Sequence, residues 1–567
     1  MAKWLNRKLL FALTIVVLLI SVVLVISSQN ETELPAEKAY VTVKADKTVK
    51  SLNKQIFGTA MPGEGRGNRS AFTDAPLKEY MNELQNGFMT LQGTSAGFPF
   101  YPEMTGEHSK RMTIAQILDR MKFRDDPDGA VIYETVKDEP ALNKPMDHNY
   151  DDILQYLESL KAKPKIAIRV PTYFTGLGDS IVAKMKLKLD PKTGSDLVHY
   201  LNDPPVTELG RLRARNGHPE PYNVKYFVLG NEMWNNYVIY GLSLEDMAAQ
   251  HIAFATAMKA ADPTVKIGFS FADDGYPHEF FKPEFLQRVE KQLDFNDRML
   301  SLINGYFDFG TYHVYSDGWI ATEGKEVLDL GPQDWKFLMG QAYMKEKYGS
   351  YQRHREIVQR YNPSAEVIND EYSGPLADLG GALFAADHVM YLIRTNYDSY
   401  AGYWDSGLFE PLSFFGMIHI PDEKSPDYFK RPAFYALKMF NYYTGDFIVE
   451  SIVKSPTYHI DQFASQNLIW PAEDVPSVAV MATKKDNKLY IMLLNRETNR
   501  DMEVEITLES FVPKGSAKIY TLTGQNMNSN NENNHNNVVI QESSIQTSTL
   551  VKILLKKHSL VAIVLEQ

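Results

Sequence analysis

"VKYFVLGNE", residues 224–232, sets an apolar run directly against Gly-Asn-Glu. A short apolar run closed by a glycine reads as a strand buried on both faces, as in a parallel sheet covered by helices. Such a strand ends where it reaches solvent. Here that end carries an amide and a carboxylate, Asn231 and Glu232. Similar runs recur on both sides. Upstream lie "IFGTA" at Ile56, "GFMTLQG" around 88–91 and "KIAIRV" around 166–170. Downstream lie "VKIGFSF" (267–271), "FDFGTYHVY" (307–315), "EVINDEY" (367–368) and "SYAGYWD" (400–404), which brings the count to eight strands.

Helical patterns fall between them. Ile153, Leu154, Leu157 and Leu160 share one face at helical spacing. Ser243-x-x-Asp246 has the form of a capping box opening a helix that stops near Asp262-Pro263. "GALFAADHVMYLIRT" and "RPAFYALKMFNYYTGD" flank the eighth strand as helices. Eight βα units predict an α/β fold, a (β/α)8 TIM barrel with its site in the loops after the strands. The alternative is an open doubly wound sheet. "GEGRGN" after the first strand lacks the G-x-G-x-x-G spacing which that fold usually carries.

The character changes after residue 440. "VAVMATKKDNKLYIMLLNRET", "MEVEITLESF", "AKIYTLTG" and "HSLVAIVLEQ" read as strands with no helix between them, a C-terminal all-β sandwich over 441–567. "NMNSNNENNHNN" (526–537) reads as a long turn between two of its strands. The alternating segment at 39–52 is expected to pair with this late domain, leaving 53–440 for the barrel.

The N-terminus has its own logic. Lys3, Arg7 and Lys8 lie in a basic segment (1–8) before an apolar run over 9–26, and a polar linker follows at 27–38. The run is about the minimum for a spanning helix, and basic residues precede it, which predicts a cytoplasmic start and an exported body. Its length favours an uncleaved membrane anchor. A signal segment cleaved near "VISSQNE" is the alternative, giving a secreted protein.

Composition excludes several classes. With 44% hydrophobic and 23% charged residues the chain is a packed globular protein, and its net charge of −12 without a basic block argues against nucleic acid as partner. Cysteine is absent, which removes disulfides, thiol catalysis and cysteine-ligated metal. The 13 histidines show no H-E-x-x-H spacing, so neither a metal nor a cofactor is expected.

Two carboxylates stand at strand ends: Glu232 after strand four and Glu371 in "VINDEYSG" after strand seven. Either alone would be read as a surface carboxylate. Two opposed carboxyl groups are what glycosidic-bond hydrolysis requires, one to protonate the leaving oxygen and one to attack or activate water. His313 and Tyr315, after strand six, are pocket candidates or satisfied core groups. Trp404, ending strand eight, is a sugar platform or a core residue.

These motifs, in this order, resemble the clan A glycoside hydrolases, and within them the α-L-arabinofuranosidases of family 51. "VLGNEMW" is similar to that family's acid/base segment, "KAADPTVKIGFS" to its stretch before strand five, "YHVYSDG" to its His-x-Tyr after strand six, and "NDEYSG" to its nucleophile segment. "RPAFYALKMFNYYTGD" and "HSLVAIVLE" are similar to its last barrel helix and final sandwich strand. The resemblance implies Glu232 as acid/base and Glu371 as nucleophile of a retaining hydrolase. It also implies Asn231 as the group bonding the sugar 2-hydroxyl, Tyr315 touching the nucleophile, His313 lining the pocket and Trp404 beneath the sugar. Asp370 is expected to cap or position backbone.

The chain also departs from the family. "LQGTSAG" puts Gln92 where the family carries an arginine after strand two, and Trp234-Asn235-Asn236 follows Glu232-Met233 where the family tends to Asp-Gly. Both changes fall on substrate-facing loops, so Gln92 and Trp234 join the substrate-binding candidates. Arg169, ending strand three, is a candidate replacement for the missing charge. The alternatives are another clan A specificity (exopolysaccharide endoglycanase, β-xylosidase or β-glucuronidase) and a noncatalytic polysaccharide-binding protein. The last has no need for two opposed carboxyls.

Overall fold

The computed structural model describes residues 34–63, 75–93, 100–106, 113, 116, 119, 149–174, 187–238, 242–272, 277–315, 332–373, 377–395, 401–403, 416–419, 421, 426–464 and 468–567. Eight parallel strands close into a barrel in the order Gly58–Gly63, Phe88–Gly93, Lys165–Val170, Tyr226–Leu229, Lys266–Ser270, Phe309–Tyr315, Glu366–Ser373 and Ala401–Tyr403. The short eighth strand completes the ring: Gly402 and Tyr403 pair with Gly58 and Thr59 on one side, and Ala401 and Tyr403 with Asn369 and Tyr372 on the other. Closure rules out the open doubly wound sheet.

The apolar run at 226–229 is unbroken because it faces two cores. Tyr226 and Val228 pack inside the barrel with Phe88, Ala167, Phe309 and Ile368, while Phe227 and Leu229 pack outward among helix residues. Strand one begins later than the sequence suggests. Ile56 and Phe57 sit in a 3-10 turn, Lys54–Phe57, whose N-cap Asn53 accepts from Gln55 N. There Phe57 stacks on Phe440 of the last barrel helix at 5.5 Å.

The expected helices form. Tyr150–Glu158 carries a full capping box between Asn149 and Asp152. Leu244–Ala261 starts on Ser243, whose side chain accepts from Asp246 N, and stops at Asp262. The Asp246 carboxylate turns instead to Lys188, at 2.6 Å, and no reciprocal bond to the Ser243 backbone forms among the described residues.

Most late strands join one nine-stranded sheet rather than two separate ones, while Thr457–Ile460 pairs with Glu473–Pro476 and Phe463–Ala464 with Ile469–Trp470 apart from it. The order of the large sheet is Gln541–Gln546, Ser516–Thr523, Ser559–Glu566, Lys488–Asn495, Val478–Lys485, Phe447–Lys454, Leu34–Ser51, Arg500–Glu509 and Leu550–Leu555. It folds back on itself: Asn495 donates to Leu555 O (3.2 Å) across five places in the order, and Val41, Val504, Ile491 and Ile563 share one core. The early segment Leu34–Ser51 lies in the middle, antiparallel to Phe447–Lys454 and parallel to Arg500–Glu509. Among the described residues no helix is long and apolar enough to cross a membrane. Residues 9–26, on which the anchor expectation rests, lie outside the described residues.

Candidate active site

The turn after strand four is built for close approach. Gly230 has φ +78°, and a Cβ there would lie 2.3 Å from Met233 Sδ. Its N–H donates to Val170 O at 2.8 Å, extending the ladder to strand three by one rung. Glu232 then holds a left-handed φ of +44°, a conformation that carries a penalty of about 1–2 kcal/mol for a residue with a side chain. Strain of this kind concentrates at functional sites. The turn leaves Asn231 exposed and Glu232 one-third exposed, facing the barrel mouth.

Strand seven supplies the second carboxylate through a break in register. Asn369 pairs with Tyr312 and Glu371 with His313, so two steps on strand seven match one on strand six. This is the count of a β-bulge at Asp370. In a regular strand Asp370 and Glu371 would point to opposite faces. With the extra residue both reach one guanidinium, that of Arg169 on strand three. Arg169 Nη1 donates to Glu371 Oε1 (2.5 Å) and Nη2 to Asp370 Oδ2 (2.6 Å). Nη1 also donates to Asn231 Oδ1, and Nη2 lies 2.8 Å from His313 Nε2. All four residues other than Asn231 are buried.

His313 joins the two halves. Its Nδ1 is 2.8 Å from Glu232 Oε1 and 3.2 Å from Glu371 Oε2, and its Nε2 is 3.5 Å from Asp370 Oδ1. A guanidinium only donates, so the neutral ring accepts at Nε2 and carries its proton on Nδ1, toward the two glutamates. Burial opposes a charge on this ring, and so does Arg169. Glu371, the bond to Glu232 and Asp370 favour it, and the balance lies above the ordinary imidazole value. Desolvation likewise opposes the charge on Arg169, but Asp370 and Glu371 outweigh it and hold the guanidinium firmly protonated. Trp234 closes the side of the cluster. It is buried, with its ring edge-to-face to His313 at 5.7 Å.

The structure thus brings Asn231, Glu232, Trp234, His313 and Glu371 together, with Arg169 in the position the sequence offered it. Asp370 does not cap backbone; its carboxylate is a counter-charge for Arg169. Tyr315 ends strand six opposite Ser373, but its side chain lies outside the described residues. The same holds for the side chain of Gln92, which pairs with Pro62 through the backbone, and for Trp404 altogether. Missed in the sequence were Asn369, whose Nδ2 donates to Tyr312 O (2.9 Å) and Glu371 O (3.0 Å), and His388, 3.1 Å from Asn369 Oδ1. No local pattern marks either.

One oxygen each of Glu232 and Glu371 and a ring nitrogen of His313 lie within 4.8 Å of one another, a spacing compatible with metal ligation. The Arg169 guanidinium already holds one face of that triangle, which makes it a poor cation site. What remains is a half-open carboxylate, a buried carboxylate held by a cation, and an imidazole between them.

The family description of an α-L-arabinofuranosidase 1 domain matches residues 133–317, and that of an α-L-arabinofuranosidase C-terminal domain matches 417–559. A probable α-L-arabinofuranosidase C of Aspergillus terreus is 22% identical over 400 residues, 70% of this chain and 73% of the fungal one. Several fungal proteins of the same name align at 30–31% identity over only 115–117 residues, a fifth of their own length. Among solved structures, a family 51 α-L-arabinofuranosidase from Bifidobacterium longum superposes with TM-score 0.69 at 16% identity, covering 94% of this chain and all of its own. A family 44 xyloglucanase of Paenibacillus polymyxa superposes with TM-score 0.57 at 13% identity and the same coverage. At such identities these two superpositions speak to the fold alone.

Proposed function

We propose that this chain, a clan A glycoside hydrolase similar to the family 51 α-L-arabinofuranosidases, releases α-L-arabinofuranosyl units from poly- or oligosaccharide by double displacement. Glu371 attacks the anomeric carbon, and Glu232 protonates the leaving oxygen and then activates water. The observation that carries this reading is the pair of glutamates meeting at His313 Nδ1, with an oxygen of each within 4.8 Å of one of the other. Inverting pairs stand about 6.5–9.5 Å apart to admit a water, and retaining pairs about 5–5.5 Å. The spacing supports retention.

The environments divide the roles. A nucleophile must be ionised, and Glu371 is buried against Arg169. An acid/base has to reach the leaving group and water, and Glu232 is the more open of the two. Asn231 Oδ1 is held by Arg169, so its amide N–H groups are turned out to donate, which suits a bond to a sugar 2-hydroxyl. An extracytoplasmic setting belongs to the same proposal, supported by the basic start and the apolar run at 9–26.

Hydrolysis of an aryl α-L-arabinofuranoside tests the reading. Glu371→Ala and Glu232→Ala each lower turnover by orders of magnitude in a folded protein, and proton NMR of the first product shows retained configuration. Full activity in either variant removes that residue from the mechanism. A second reading, a β-glycan endohydrolase, is favoured by the changed strand-two position Gln92. Xyloglucan cleavage without release from the arabinofuranoside would select it.

A further inference from the structure

The barrel and the nine-stranded sheet meet along the helix Leu379–Arg394, which follows strand seven and begins on the side of the active site. Its first N–H groups have no partners within the helix. The sheet domain supplies them: Leu379 N donates to Ser529 O and Gly380 N to Met527 O, both at 2.8 Å. These carbonyls belong to the Asn-rich loop, whose Asn528 also accepts from Trp335 Nε1 at 2.8 Å. The loop is thus anchored on the mouth side of the barrel.

At mid-helix the sheet domain holds on again. Arg496 forks onto Asp387, Nε to Oδ2 at 2.6 Å and Nη2 to Oδ1 at 2.9 Å, with both side chains buried. One residue further, His388 points the other way, into the barrel wall. Its Nε2 lies 3.1 Å from Asn369 Oδ1. Asn369 Nδ2 donates to Tyr312 O and Glu371 O, so the amide oxygen must accept and His388 Nε2 carries the hydrogen. One of those carbonyls belongs to strand six, and the other lies just past the bulge on strand seven. Asn369 therefore ties the bulged strand to its neighbour at the point where Glu371 departs from regular register.

We propose that Asn369 and His388 are positioning residues for Glu371, and that Arg496 extends this support to the sheet domain, making that domain part of the catalytic apparatus. The inference rests on Glu371 being the nucleophile. A bulge has a softer backbone than a paired strand. Buried, mutually satisfied hydrogen bonds hold it in one geometry. Displacing a reacting group by about 1 Å lowers turnover by about 100-fold.

The test measures turnover of an aryl α-L-arabinofuranoside by the full chain in two backgrounds. In the native background Asn369→Ala and His388→Gln lower kcat by roughly 10- to 100-fold and leave KM within about threefold. Arg496→Lys, which keeps the charge and loses the fork, shows the same signature at smaller size. In a Glu371→Ala background, with azide as external nucleophile, adding Asn369→Ala or His388→Gln changes the remaining rate by less than about twofold, because the group they hold is gone. An equal loss in both backgrounds, or a change confined to KM, overturns the proposal. Should Asn369→Ala not fold, His388→Gln carries the same comparison. If Glu371→Ala is itself fully active, the nucleophile reading falls, a result distinct from an additive Asn369 effect on an inactive Glu371→Ala.

Discussion

Replacing Arg169 with methionine probes the electrostatics of the site most directly. The side chain is 3% exposed and touches Asp370 at 2.6 Å and Glu371 at 2.5 Å. Methionine keeps much of the volume and removes the charge, so two neighbouring carboxylates lose their counter-ion. Breaking a buried ion pair destabilises by about 3–5 kcal/mol, because the partner is left buried and uncompensated. Like charges in one buried site also resist joint ionisation, which acts against a nucleophile that must be ionised. One charge-assisted hydrogen bond contributes about 1.5–3 kcal/mol, so kcat/KM falls by roughly 10- to 150-fold. Arg169→Lys restores a cation, but one ammonium cannot span both carboxylates, His313 and Asn231, and its kcat/KM falls in between. Urea unfolding reads the stability change and the arabinofuranoside assay the kinetic one. If Arg169→Met keeps kcat/KM within about threefold while Glu371→Ala is inactive, the guanidinium is not what maintains the nucleophile.

Other expectations reach different parts of the molecule. Gly230→Ala forces a side chain onto φ +78° and displaces Met233, destabilising the turn by about 1–2 kcal/mol and lowering kcat by misplacing Asn231 and Glu232; unchanged kcat would show the turn to be adaptable. Burial raises the Asp378 carboxyl from 3.8 to about 7. Between those values the folded chain keeps a proton that the unfolded chain has released, so stability falls as pH rises through the window. Asp378→Asn still accepts from Gly381 N and removes that slope, gaining up to about 4 kcal/mol above pH 7; denaturant titrations at several pH values measure it. Burial lowers His251 from 6.5 to about 4, so here the unfolded chain binds the extra proton and stability falls as pH drops through that window. His251→Gln flattens the acid side of the stability curve by about 3 kcal/mol. Full-length protein sediments with membranes, and a chain starting at residue 34 does not; soluble full-length protein would argue against the anchor.

Much of the barrel is legible in the sequence because its strands are buried on both faces. Runs such as "KIAIRV" and "VKYFVLG" cannot alternate with polar residues, and their polar ends mark the mouth. Strand one starts two residues past the beginning of its apolar run because Ile56 and Phe57, as apolar as a strand, sit in a 3-10 turn from which Phe57 stacks on Phe440. The β strands of the late domain are legible from alternation. Their joining into one folded-over sheet depends on long-range pairing such as Asn495 to Leu555, which no local pattern encodes.

By itself the sequence determined the eight apolar runs, the order of the motifs and the two carboxylates at strand ends, because hydrophobic periodicity and turn chemistry act over a few residues. Tertiary structure alone decided which cation meets Glu371, where Asp370 points and what holds the bulge. Arg169 and Glu371 are 202 positions apart, and Arg496 and Asp387 are 109 apart. A one-residue change of register inverts the side of a strand on which every following side chain lies. The bulge at Asp370 makes that change, and only the packing of strand seven against strand six and the helix Leu379–Arg394 sets it.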